Sequence, residues 1–93
     1  MTRVVFVIDD RRRVVGVLTD GDIRHAFVRG LGLHAPVHEV MTRSYAFGEA
    51  GMTPAELESR LPGRTRVMPM LDAEQRLVDF ASGAHIPQLT VAP

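Results

Sequence analysis

The chain contains no cysteine, so a disulfide framework, a thiolate metal site and a cysteine nucleophile are all excluded. It contains no lysine either: all eleven basic residues are arginine, a bias that fits a GC-rich coding sequence better than a function. Net charge is missing too, because those eleven cations balance eleven acids. A neutral chain lacks the broad basic field that draws proteins onto nucleic acid. No apolar run approaches the roughly 18 residues of a membrane span. Met1-Thr2-Arg3 leads into only five apolar residues, Val4 to Ile8, before Asp9. Neither a membrane anchor nor a signal peptide is expected, which predicts a cytoplasmic module. No Walker-type or G-x-G-x-x-G loop occurs, and Ser44, Ser59 and Ser82 sit in no nucleophile-elbow pattern. The acids form no pair recognisable for acid–base chemistry, so an enzyme is not expected.

What is present is ordinary: 93 residues, 45% apolar and 24% charged, suited to one compact domain or two small half-repeats. Val4-Val5-Phe6-Val7-Ile8 is apolar throughout and rich in β-branched residues, which predicts a strand buried on both faces. Five charged residues, Asp9 to Arg13, separate it from Val14-Val15-Gly16-Val17-Leu18, so the two runs read as an antiparallel hairpin. The Arg11-Arg12-Arg13 triplet reads as its solvated tip rather than a phosphate site. Thr19-Asp20-Gly21-Asp22 opens a helix with Ile23, Ala26 and Phe27 on one face and Gly30 as its stop. A short helical turn follows Pro36, then a strand near Ser44 to Phe47. Thr53-Pro54-Ala55-Glu56 starts a second helix, running to about Leu61 with Ala55, Leu57 and Leu61 as burial candidates. A second hairpin joins Arg66–Leu71 to Arg76–Ala81, and the tail after Gly83 reads as extended.

Shifting the first hairpin by 63 residues lays it on the second. Val4 falls on Val67, Asp9 on Asp72, Arg13 on Arg76 and Val15 on Val78, four identities in nineteen positions, and Thr19 falls on Ser82 with its hydroxyl kept. Gly16 is lost to Asp79, and Asp22 to His85. Equal strand and turn lengths with the Asp…Arg frame preserved indicate a duplication. The same shift carries the 44–61 strand and helix to a place before Met1, and the first helix onto a tail broken by Pro87. Copy one thus lacks its front strand and helix, and copy two its last helix.

A repeat of strand, helix, strand, strand, helix at about sixty residues resembles the CBS domain, a family of tandem pairs named for cystathionine β-synthase. Gly16-Val17-Leu18-Thr19-Asp20-Gly21-Asp22 matches its signature of Gly, apolar, any, Thr or Ser, two residues, then Asp. The longer string Val15 to Arg24 is similar to the version attached to sugar-phosphate isomerases and sugar nucleotidyltransferases. Val37 to Arg43 resembles the inter-repeat linker, and Val67 to Asp72 the second copy's middle strand. The resemblance implies an α/β fold of tandem β-α-β-β-α repeats, divided as 1–36 (partial motif 1), 37–43 (linker) and 44–93 (partial motif 2). It implies a regulatory module that binds AMP, ADP, ATP or a nucleotide-sugar and controls an associated enzyme. By position, Thr19 would hold the phosphate and Asp22 the ribose hydroxyls, with Asp20, Gly21 and Arg24 beside them.

General chemistry agrees with those roles. A helix starting at Asp20 directs free N–H groups and a positive dipole end at whatever lies above Thr19. Gly21 admits close backbone approach, and a carboxylate suits a vicinal diol. Thr-x-x-Asp at a helix start is equally a capping box that needs no ligand, and the two readings stand side by side. The adenine end of the Thr19 site is expected to need copy one's missing front, while copy two carries the corresponding parts around Met41 to Tyr45. Neither site is then complete within one chain. The alternative function is a ligand-free homodimerisation module, because losing one helix from each copy should uncover apolar strand faces. His34 and His38, with Pro36 between them, read as surface residues and no metal site is expected; Met41, Met52, Met68 and Met70 read as core filler.

Overall fold

The computed structural model describes residues 3–63 and 65–87. In chain order the elements are β1 (Val4–Ile8), β2 (Val14–Thr19), α1 (Asp20–Val28), α2 (Val37–Val40), β3 (Gly48–Glu49), α3 (Pro54–Arg60), β4 (Val67–Leu71) and β5 (Leu77–Ser82). β1 and β2 form one antiparallel sheet, and β3, β4 and β5 a second in that spatial order. β3 runs parallel to β4, with Gly48 opposite Met70 and Glu49 opposite Leu71. None of the helices among the described residues is long and apolar enough to cross a membrane.

The duplication is visible down to single hydrogen bonds. In the first hairpin Val4 faces Thr19 and Val7 faces Gly16, after which a bulge sets Ile8 opposite Val14. In the second, Val67 faces Ser82 and Met70 faces Asp79, and the bulge sets Leu71 opposite Leu77. Asp9 Oδ1 accepts the N–H groups of Arg11 and Arg13, both at 2.9 Å, and its Oδ2 accepts Arg13 Nε at 2.8 Å. Asp72 makes the same three bonds, at the same distances, with Glu74 and Arg76. The residue closing each turn is left-handed, Arg12 at φ 66° and Gln75 at φ 65°, as a tight turn ending in a bulge requires. Desolvation pushes the Asp9 carboxyl up, but the bonds from Arg13 and Arg11 outweigh it and leave its pKa below the ordinary value. Asp72 is lowered chiefly by the Arg76 N–H, against a smaller desolvation.

The two tips also join one another. Val14 N–H donates to Gln75 O at 3.2 Å and Leu77 N–H to Arg12 O at 2.9 Å, a reciprocal pair related by the same 63-residue shift. Arg11, Arg12 and Arg13 are exposed there, as expected of a solvated tip.

The core lies under the second sheet. Leu57 and Leu61, at and just past α3, pack with Met68, Met70 and Ala81 of β4 and β5. Thr53 caps α3 by accepting Glu56 N–H at 3.2 Å, with Pro54 at its first turn. A Cβ at Gly48 would meet Leu57 Cδ2 and the Met70 side chain, so the backbone of β3 approaches as only glycine allows.

Several expectations change. The strand placed at Ser44–Phe47 is instead the two-residue β3 at Gly48–Glu49. Ala55 is exposed, on the outer face of α3. β1 is not buried on both faces: Val5 and Ile8 are exposed. Of the three apolar residues that share one face of α1, only Ala26 is buried, and Ile23 and Phe27 are exposed. α1 still ends where Gly30 predicts: Gly30 has φ 88°, its N–H reaches Phe27 O at 3.0 Å, and Leu31 N–H reaches Ala26 O at 3.0 Å. Those two bonds are a Schellman stop. The chain after Gly83 turns without forming a helix as far as Pro87, and the rest of the expected extended tail lies outside the described residues.

Candidate functional site

β2 delivers Thr19 to the start of α1, where Thr19 and Asp22 form a full capping box. Asp22 N–H donates to Thr19 Oγ1 at 3.1 Å, and Asp22 Oδ2 accepts both the Thr19 N–H at 2.8 Å and the Thr19 hydroxyl at 3.0 Å. Both residues are half-buried. The N–H groups of Asp20 and Gly21, at the first two helical positions, have no intrahelical acceptor. Gly21 is exposed, and a Cβ built on it would meet nothing closer than Thr19 Oγ1 at 3.6 Å. Asp20 lies 3.6 Å from Arg3 Nε across open surface, which offsets part of the repulsion two neighbouring acids would exert on an anion. Arg24 is exposed two residues beyond the box. The helix entrance is therefore open to solvent, with Thr19, Asp20, Gly21 and Asp22 gathered at one place.

The segment Met41–Tyr45 falls in an unexpected position. It runs antiparallel along β2 of copy one: Val17 and Thr42 exchange both backbone bonds, at 2.9 and 2.8 Å, and Tyr45 donates its hydroxyl to Val14 O at 2.7 Å. Burial pushes the Tyr45 pKa up. Met41 lies against Gly16, where a Cβ would come within 2.8 Å of Met41 Cγ, so the signature glycine is what lets the segment lie this close. Thr42 then donates its hydroxyl to Asp22 Oδ1 at 2.9 Å. The segment that carries copy two's linker parts is thus laid beside the signature of copy one. Sequence reasoning missed Thr42 as the partner of Asp22, and the only available signal was the linker resemblance itself.

At the equivalent place in copy two the geometry differs. Ser82 and His85 exchange backbone bonds at 2.7 and 3.2 Å, so the chain folds back where copy one opens a helix. Ser82 Oγ accepts the Ala84 N–H at 3.2 Å. His85 stands 3.5 Å from Asp79 and 4.6 Å, ring to ring, from Phe80. His34 and His38 are exposed, and among the described residues no group of three metal-ligating side chains converges.

No family model matches the chain. Over 39 residues, 42% of its length, it is 54% identical to the arabinose 5-phosphate isomerase GutQ of Escherichia coli, of which it covers 12%. Among solved structures, the CBS-pair protein CBSX2 of Arabidopsis thaliana matches 87% of the chain at a TM-score of 0.70 and 20% identity. The chain has the fold of a CBS-domain pair. The cytosolic domain of the Mg2+ channel MgtE, solved in complex with ATP, matches 85% of it at a TM-score of 0.69 and 26% identity. The chain spans 64% of CBSX2 and 30% of the MgtE chain. Its tandem architecture, β-α-β-β-α with copy one represented from its hairpin onward and copy two up to its second hairpin, is the one expected from the residues.

Proposed function

We propose that this CBS pair is a regulatory, cytoplasmic module that senses a nucleotide or nucleotide-like ligand at the entrance of α1 and acts without catalysis of its own. Thr19 and the free N–H groups of Asp20 and Gly21 receive a phosphate, Arg24 lies within reach of it, and Asp22 receives ribose hydroxyls. Residues 1–36 and 44–93 are the two motifs and 37–43 the linker between them. The observation that carries the proposal is the hydrogen bond from Thr42 to Asp22 Oδ1: this carboxylate already accepts a hydroxyl from another segment, the bond a ribose would make. The ATP held by the structurally similar MgtE domain supports an adenine nucleotide. The likeness to GutQ supports a sugar-phosphate isomerase as the regulated enzyme, ahead of a sugar nucleotidyltransferase.

Thermal melts with AMP, ADP, ATP and CMP- or GDP-linked sugars test the proposal. A ligand at one hundred times its dissociation constant adds about 2.7 kcal/mol to the stability of the folded state. Asp22→Ala removes a cap as well as the site, so its shift is read against the variant's own ligand-free melt. An unchanged shift in that variant would refute the site.

A second role is favoured by a separate observation. α1, α2 and the loop between them enclose an apolar groove of about 220 Å³, lined by Leu18, Ile23, Phe27, Leu31, Val37 and Val40. Phe27 is 53% exposed and neighbouring Leu33 is 87% exposed. Apolar surface of this kind marks association, and we assign it to a homodimer contact. Light scattering should give twice the monomer mass of 10.3 kDa, reverting to monomer in Phe27→Glu; a monomer throughout would exclude the contact.

A further inference from the structure

We infer that Thr42 is a built-in competitor for the ligand's ribose, so that the linker must let go of Asp22 before the site can fill. The inference rests on the assignment of Asp22 to the ribose. The two oxygens of Asp22 are engaged differently. Oδ2 is held twice by Thr19, from its N–H, which is half of the capping box, and from its hydroxyl, so both of its lone pairs are taken. Oδ1 has a single donor among the described residues, the Thr42 hydroxyl at 2.9 Å, which comes from outside copy one and is exposed to solvent. Oδ1 thus has one lone pair free and one held by Thr42, and a ribose that places both hydroxyls of its diol on Oδ1 needs the pair that Thr42 holds.

The backbone of Thr42 does not have to move for this to happen. Its N–H and carbonyl are fixed to Val17 by two bonds, so rotation about the Thr42 Cα–Cβ bond is enough to withdraw the hydroxyl. Ligand binding then exchanges one hydroxyl for another at the same oxygen. The ligand's gain is reduced by the strength of the bond it replaces, and the tie between α1 and the linker is broken whenever the site is occupied. A tie of this sort holds the affinity down.

The test compares wild type, Thr42→Val and Thr42→Ser by calorimetric titration with AMP, ATP and a nucleotide-sugar, each variant's folding being checked by its own melt. A hydrogen bond of ordinary net strength predicts binding three- to tenfold tighter in Thr42→Val, about that factor, and wild-type affinity in Thr42→Ser, which keeps the hydroxyl. Equal affinity in all three, or weaker binding in Thr42→Val, overturns the competitor while leaving the Asp22 site standing, since binding itself is then observed. No binding by any of the three at millimolar ligand overturns the Asp22 site and the competitor with it.

Discussion

Ile8 and Leu71 offer an internal controlled experiment. They occupy the same place in the two copies, each just past the bulge of its hairpin, with matched backbone pairing. They have the same side-chain volume, yet Ile8 is 45% exposed and Leu71 only 3%. Truncating a buried leucine to alanine costs about 2–5 kcal/mol, because a cavity is left in addition to the lost transfer energy. At Ile8 about half of the side chain is already in water and solvent fills the space, so the loss is that of partial burial alone, about 1 kcal/mol. Ile8→Ala and Leu71→Ala should therefore differ by about 2 kcal/mol in urea unfolding followed by circular dichroism, with unchanged slopes. Should Leu71→Ala fail to fold, the valine variants preserve the order on a smaller scale. Equal costs at the two positions would refute the reasoning, and would mean that something covers the first sheet in solution. Repeating the measurement over a range of protein concentrations then identifies a second copy as the cover, since only association makes stability depend on concentration.

Gln75→Gly should stabilise the fold by about 1 kcal/mol, the relief of a left-handed residue with a side chain, read as a rise in the denaturation midpoint. Arg12→Gly should gain less, because Arg12 Nη2 also donates to Leu77 O at 3.3 Å. Asp9 and Asp72 have folded pKa values below their ordinary 3.8; their contribution is complete above the unfolded value and disappears as pH falls through the lower folded values. Asp72→Asn should flatten the stability-versus-pH curve in that acidic window and leave its shape above pH ~5 unchanged, a comparison made by melts in a buffer series. Gly16→Val should drive Met41 off β2, lowering stability by about 1–3 kcal/mol and abolishing any nucleotide-induced shift; an unaltered shift would separate the linker from the site.

The repeat was legible in the sequence because the turn chemistry dictates it. A tip closed by one carboxylate that accepts two N–H groups and a guanidinium leaves little choice but Asp and Arg, and so Asp9, Arg13, Asp72 and Arg76 survived where their neighbours diverged. α1 was legible in its boundaries, which local caps define, but its burial was not. The spacing of Ile23, Ala26 and Phe27 names an apolar face but not what lies against it, and here only Ala26 is covered. β3 left no pattern, since two residues in parallel pairing carry no alternation. The candidate site was half legible: Thr19 and Asp22 announce themselves through their spacing. Thr42 does not, because its bonds to Val17 and Asp22 span twenty residues or more of chain and depend on Gly16 being flat enough to lie against.

The junction between the hairpin tips is made of main-chain atoms, Val14 to Gln75 and Leu77 to Arg12. Every amino acid except proline carries the same amide, so mutation at these tips seldom alters the adhesive itself. The halves can accordingly differ in their residues, one carrying Gly16 and the other Asp79, while remaining clasped in a fixed mutual alignment. An ancestral duplication can in this way specialise one member and retire the other without the pair coming apart.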